Sequence, residues 1–188
     1  MDPALDDTGS VRRAYRQLFE LGRGGMARVY LAESLASGLR KPVVLKVLNP
    51  LLSADTEVRA AFRREAELSA QMNHPNVVQV MEVVETPESA VIVMEHLEGK
   101  ALSALLKEAG KHLSLALHMH ILTQVLAGLH HFHELRDLEG TPLHPVHRDV
   151  SPQNVMVLHD GPVKVLDFGI AKINAPSAQG TRTGIIKG

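Results

Sequence analysis

The densest run of chemistry-bearing residues is His147-Arg148-Asp149-Val150-Ser151-Pro152-Gln153-Asn154, followed closely by Asp167-Phe168-Gly169. Two short apolar runs lie between them, Val155-Met156-Val157-Leu158 and Val163-Lys164-Val165-Leu166, separated by His159-Asp160-Gly161-Pro162. Asp-Gly between β-branched runs predicts a hairpin. A hairpin brings its outer ends together, so Asn154 and Asp167 should converge, with Asp149 on the loop leading in. Two carboxylates and an amide oxygen at one point suit a hard cation such as Mg2+, which usually shares its shell with substrate phosphates.

Two further features need positioning. The first is Gly22-Arg23-Gly24-Gly25-Met26-Ala27-Arg28, led in by Tyr15, Leu18, Phe19 and Leu21. After it Val29 and Leu31 alternate with Tyr30 and Ala32, as in a strand, and Gly38 soon follows. A dinucleotide fingerprint or a P-loop would open a helix there instead. Strand, glycine loop, strand is either a plain hairpin turn or a flap that offers backbone N–H groups to phosphates. The second feature is Lys46, a charge inside the predicted strand 42–48. It either faces solvent or points inward to a partner, because burying an unpaired ammonium is costly.

A partner is available on the next element. A helix can start at Ser53 or Asp55, both good N-caps. At about 100° per residue, Val58, Ala61, Phe62, Leu68 and Met72 share one face, and Arg63, Arg64, Glu67 and Gln71 the other. Glu65 falls in the apolar face. Either the helix is rolled to leave it at a margin, or it pairs with Lys46.

The rest of the chain supplies the frame. His74-Pro75-Asn76 ends that helix, and strands are predicted over 77–84 and 90–94. Glu95-His96-Leu97-Glu98-Gly99 breaks the pattern. A short helix is predicted from Leu102 to near Gly110 and a longer one over 115–133, with Leu122, Val125, Leu129 and Phe132 as its buried stripe. Strands with one helix thus give way to helices, which places a boundary at the linker. The expected division is a flexible tail 1–14, a lobe 15–94, a hinge 95–99 and a second lobe 100–188.

Composition narrows the class. The 188 residues suffice for one domain or two small lobes, and the net charge of −1 disfavours a nucleic-acid partner. The chain has no cysteine, no apolar signal core and no run long enough to span a membrane, which points to the cytoplasm. Of 11 histidines, His118, His120, His130, His131 and His133 cluster around the long helix. On a helix His130 and His131 diverge, so a solvated face is expected rather than a metal site.

Taken together these residues resemble the eukaryotic-type protein kinases, in particular the bacterial serine/threonine branch. The motifs follow in that family's order: the glycine loop 22–29, Val44-Leu45-Lys46, Glu65, His147-Arg148-Asp149 with Asn154, and Asp167-Phe168-Gly169. The resemblance implies an α+β fold, with an antiparallel β N-lobe carrying one helix and a partial, mainly helical C-lobe. It implies transfer of the ATP γ-phosphate to a protein Ser or Thr hydroxyl. Lys46, held by Glu65, would contact the α- and β-phosphates, Asn154 and Asp167 would hold Mg2+, and Asp149 would accept the hydroxyl proton. Leu21, Gly22, Arg23, Gly24 and Gly25 would bind the nucleotide, with the N–H groups of residues 23–27 covering its phosphates. Val29, Val44 and Met156 would sandwich the adenine, and backbone groups of Glu95 and Leu97 would bind its edge behind Met94. Arg148 would read a phosphate on Thr181 or Thr183, with Ser177 a lesser candidate.

The sequence departs from the family pattern at several points. Ala27 replaces the third loop glycine, and Val44 replaces an alanine over the adenine. Ser151 stands where a lysine usually meets the transferring phosphate, which should weaken transition-state stabilisation. The family continues past Gly188 into a Pro-Glu motif and further helices. The chain is therefore expected to be a fragment, poorly stable and with little activity alone. Two other classes compete: a non-catalytic kinase-like module that binds ATP, and a small-molecule phosphotransferase, which the glycine loop and Asp-Phe-Gly disfavour.

Overall fold

The structure is a computed structural model that describes residues 9–35, 40–86, 89–109, 112–137 and 139–168. It is α+β. Strands β1 (Tyr15–Arg23), β2 (Ala27–Ser34), β3 (Lys41–Leu48), β4 (Val80–Glu85) and β5 (Ala90–Glu95) form an antiparallel sheet in the order β1-β2-β3-β5-β4. Strands β6 (Gly99–Ala101), β7 (Val155–Leu158) and β8 (Val163–Val165) form a second, three-stranded antiparallel sheet. Helix α2 (Thr56–Ala70) packs on the first sheet, and α4 (Leu115–His133) lies against β8, with α3 (Leu102–Ala109) beside β6 and β7.

Alternation builds the first sheet. Val43, Leu45 and Val47 are buried on one face of β3, together with Tyr30, Ala32, Val91 and Val93. On the other side Leu48, Phe62, Ala66, Ile92 and Met94 fill the space under α2. Each fully buried aliphatic side chain contributes roughly 1.5–3 kcal/mol. Of the two candidate caps, Asp55 starts α2: its carboxylate accepts from the N–H groups of Glu57 (2.9 Å) and Val58 (3.1 Å). Ser53 instead closes a preceding 3-10 turn, its hydroxyl donating to the Pro50 carbonyl at 2.7 Å.

Three expectations need correction. Residues 9–14 are not tail but a short helix, α1 (Gly9–Ala14), whose Val11 is buried against Tyr30, Ala32 and Leu45. One apolar residue among polar neighbours gives no periodic signal, so the sequence could not show it. Strand β4 starts at Val80, because residues 76–78 bond to β8 instead: Val78 N–H donates to the Val165 carbonyl (3.0 Å) and Val165 N–H to the Asn76 carbonyl (2.9 Å). On α4 the buried positions are Ile121, Val125, Gly128 and Phe132, while Leu122 is exposed. Val125 and Phe132 are buried as expected and Leu129 packs at the core's margin, but Ile121 replaces Leu122, and Gly128 lies against the Asn76 backbone, where a Cβ would sit 2.6 Å from the Asn76 oxygen.

Candidate active site

The hairpin of β7 and β8 is formed as its Asp-Gly turn predicts, with Gly161 at φ +105° and Val155 opposite Val165. Its open end is closed by Leu166 N–H donating to the Asn154 carbonyl at 2.8 Å. The Asn154 amide N–H2 donates to both the carboxylate (3.0 Å) and the backbone carbonyl (2.9 Å) of Asp149. Asn154 therefore clasps the loop that carries Asp149, and its amide oxygen is left as an acceptor.

Lys46 points inward. Its ammonium donates to Glu65 at 2.6 Å and to Asp167 at 2.7 Å. Its side chain is 12% exposed, against 8% for Glu65 and 42% for Asp167. Burial works to lower the ammonium's pKa, but the carboxylates of Asp167 and Glu65 outweigh it and raise it above the ordinary value. Lys46 is therefore charged. Burial pushes the Glu65 carboxyl upward, opposed by Lys46. The inward reading holds for both residues, and Asp167 forms a third member of the cluster.

His147 ties the two loops together. It is buried, its Nε2 lies 3.1 Å from the Leu166 carbonyl, and Asp149 N–H donates to its Nδ1 at 3.3 Å. A carbonyl only accepts and an amide N–H only donates, so the proton sits on Nε2 and the ring is neutral. Burial lowers its pKa, consistent with that state. Its ring lies 4.7 Å from Phe168, which lies 4.3 Å from Phe132 of α4. Arg148 (φ +61°) and Asp167 (φ +44°) hold left-handed backbone conformations that cost a non-glycine residue about 1–2 kcal/mol each. Such strain persists where the surroundings over-determine it, here through the Lys46 bond on one side and His147 on the other.

Two adjoining cavities meet at Asp167. One, of about 360 Å3, is apolar and lined by Leu21, Val29, Val44, Met94, Leu97 and Met156, with Glu95 at its edge; Val78 and Leu166 also line it, though the sequence did not mark them. The other, of about 270 Å3, is lined by Gly24, Gly25, Lys46, Glu65, Asp149 and Asp167. The glycine loop joins β1 to β2, and Gly24 N–H donates to the Ala27 carbonyl at 2.8 Å. Gly22 and Arg23 line neither cavity, and Arg23 turns back to Glu20 at 3.1 Å. The Ala27 methyl is buried against the core under α2, which gives the loop's departure from glycine a packing role. Ser151 precedes a 3-10 turn, Pro152–Asn154, with Asn154 N–H donating to the Ser151 carbonyl at 2.9 Å. Gly169, Ser177, Thr181 and Thr183 lie outside the described residues.

The sequence also passed over Lys164. It interrupts an apolar run as Lys46 does, and it too is paired, with Glu95 at 2.6 Å. The same signal was present in both strands. Around the long helix His131 stacks on His74, with ring centroids 5.0 Å apart.

A glycine loop, a strand lysine paired on both sides and the carboxylates of Glu65, Asp149 and Asp167 thus line one cleft. The family model for the protein kinase domain matches residues 15–185, and the chain belongs to that family. It is 40% identical over 173 residues to tyrosine-protein kinase MasK of Myxococcus xanthus, a match covering 90% of this chain and 27% of that protein. It is 37% identical over 158 residues to serine/threonine-protein kinase PrkC of Bacillus subtilis, covering 84% and 22%. Among solved structures the kinase domain of Mycobacterium tuberculosis PknI aligns with a TM-score of 0.67 at 30% identity, over 84% of this chain and 59% of that one. The chain thus spans about a quarter of the length of these curated relatives. No helix among the described residues is long and apolar enough to cross a membrane.

Proposed function

We propose that this chain is the nucleotide-binding and catalytic part of a protein kinase that transfers the ATP γ-phosphate to Ser or Thr hydroxyls of a protein substrate, with the cytoplasm as its site. The carrying observation is the junction of an apolar cavity with a charged one at Lys46 and Asp167. An adenine fits the first by its chemistry and a triphosphate the second. Val29, Val44 and Met156 sandwich the base, Met94 backs it, and the backbone of Glu95 and Leu97 meets its edge. Leu21 borders the base, and Gly24 and Gly25 cover the phosphates.

The donor set fits Mg2+. Asp167 faces the charged cavity with its side chain 42% exposed, and the Asn154 amide oxygen remains an acceptor. These two would hold the ion, which when bound neutralises charge on the phosphate oxygens. Lys46, fixed by Glu65, orients the phosphates. Asp149, positioned by Asn154 and by His147 through its backbone N–H, accepts the proton of the attacking hydroxyl. Arg148 receives a phosphate on Thr181 or Thr183.

One observation favours a second acceptor class. The relative at 40% identity is named a tyrosine-protein kinase, so tyrosine joins Ser and Thr in the test. That test is transfer of labelled γ-phosphate by the full-length protein to peptides carrying each acceptor. Asp149→Asn is expected to reduce transfer at least about 100-fold. Transfer that survives Asp149→Asn contradicts the assignment. MgATP binding without transfer to any acceptor selects the ATP-binding module instead.

A further inference from the structure

The proposed nucleotide site uses Glu95 through its backbone only, yet its side chain, already seen paired with Lys164, makes a wider set of bonds. One carboxylate oxygen accepts from the Lys164 ammonium (2.6 Å) and from the Gln79 backbone N–H (2.8 Å). Glu95 N–H in turn donates to the Gln79 carbonyl at 3.0 Å. Lys164 donates a further bond to the Val77 carbonyl at 3.2 Å. Both side chains are largely shielded, Lys164 15% and Glu95 30% exposed. Two charges brought out of water need such partners.

The elements joined here give the pair its meaning. Glu95 is the last residue of β5, where the chain leaves the five-stranded sheet. Lys164 is the middle residue of β8, in the other sheet. Segment 76–79 lies between them and is itself fastened to the second lobe. The Asn76 amide donates to Gln124 Oε1 of α4 (2.7 Å) and to the Val163 carbonyl (2.8 Å), and Val163 N–H donates to the same Gln124 oxygen (2.8 Å). The end of β5 is thus held through Gln79 and Lys164 by parts anchored on α4 and β8. The same end of β5 forms the wall of the apolar cavity.

We infer that Glu95 and Lys164 are positioning residues for nucleotide binding: their ion pair anchors the end of β5 to the second lobe and so fixes the backbone edge that meets the base. This rests on the proposed nucleotide site. Neither side chain touches the reacting atoms, so losing the pair should weaken nucleotide binding without slowing the chemical step.

The test is steady-state kinetics of the full-length protein carrying Lys164→Met, Glu95→Gln or both. KM for ATP is expected to rise about three- to tenfold in each single variant, with kcat at saturating ATP and KM for the acceptor peptide essentially unchanged. The double variant should be no worse than the weaker single, because both changes remove one interaction. Lys164→Arg, which can still reach Glu95, should restore a near-parental KM. Unchanged KM for ATP in both single variants overturns the inference, as does a fall in kcat with KM unchanged. A lower KM for ATP also overturns it, since the pair would then be a restraint to be released. Should Lys164→Met fold poorly, Glu95→Gln decides, because it keeps an acceptor for Gln79 N–H and nearly the same shape. A parent that binds MgATP but transfers nothing removes the kinase reading alone, and the same affinity shifts by calorimetry still decide the anchor. A parent that binds no MgATP overturns both.

Discussion

Lys46 carries the residue-scale argument, because one ammonium satisfies two carboxylates from distant parts of the chain, Glu65 and Asp167. Removing it strands Glu65 in the core. Lys46→Met is expected to destabilise the protein by about 3 kcal/mol near neutral pH. The sign of its pH dependence follows from Glu65. Burial already raises that carboxyl above its ordinary value, and loss of Lys46 removes what opposes the rise. The folded variant then holds a proton that the unfolded chain releases above about pH 4.5. A raised carboxyl favours folding less as pH climbs, so the deficit of Lys46→Met should grow from pH 5 to pH 8. Urea denaturation of parent and variant across that range checks it; a deficit independent of pH contradicts the buried pair. Much of this pair was legible in the sequence, because a charge in the middle of an apolar run or face requires either solvent or a partner. Asp167 was placed near Lys46 only by the order of the family motifs, since chain positions so far apart carry no spacing signal, and its direct bond to the ammonium was not foreseen.

At the scale of elements, the junction of α4 with segment 76–78 controls how the helix is rolled. Gly128→Ala gains about 1 kcal/mol of helix propensity, but its Cβ would lie 2.6 Å from the Asn76 oxygen. Asn76 is held by bonds to Gln124, Val163 and Val165 and cannot yield cheaply. A net loss of about 1–2 kcal/mol is expected, read as a lower denaturation midpoint; a gain would mean that the segment moves freely. The same contact explains why α4 was legible in extent but not in rotation. Its bounds follow from Ser114, which caps Leu117 N–H at 3.2 Å, and from the apolar periodicity. Which of Ile121 and Leu122 faces inward depends on a glycine meeting a distant backbone. Helix α1 was missed for a related reason, since Val11 is a single anchor. Val11→Ala should cost about 2 kcal/mol, whereas a true tail residue would cost nothing measurable.

The whole molecule presents an apolar stripe that its described residues do not cover. Leu115, Met119, Leu122 and Leu126 recur at spacings of four, three and four along α4, and each is more than half exposed. Contiguous exposed apolar surface of this kind drives association. The 188-residue chain alone is expected to self-associate with rising concentration, and Met119→Gln with Leu122→Gln should suppress this. Sedimentation of both forms decides it; equal behaviour would remove the stripe as the cause. The α+β class and the order of strands before helices were legible, because a shift from alternating to helical periodicity survives any detail of packing. How the lobes are joined was not, because the joint is made by side chains such as Lys164 that the pattern treats as solvent-facing.

The central claim is that Lys46 and Asp167 serve one nucleotide and its metal in a single cleft. Calorimetric titration of ATP into the full-length protein, with and without Mg2+, tests it most directly when repeated on Lys46→Met and Asp167→Asn. The account expects saturable, Mg2+-dependent binding by the parent. It expects affinity at least about tenfold weaker in each variant, with the Mg2+ dependence lost in Asp167→Asn. Binding as tight in both variants as in the parent, or binding indifferent to Mg2+ throughout, would contradict it.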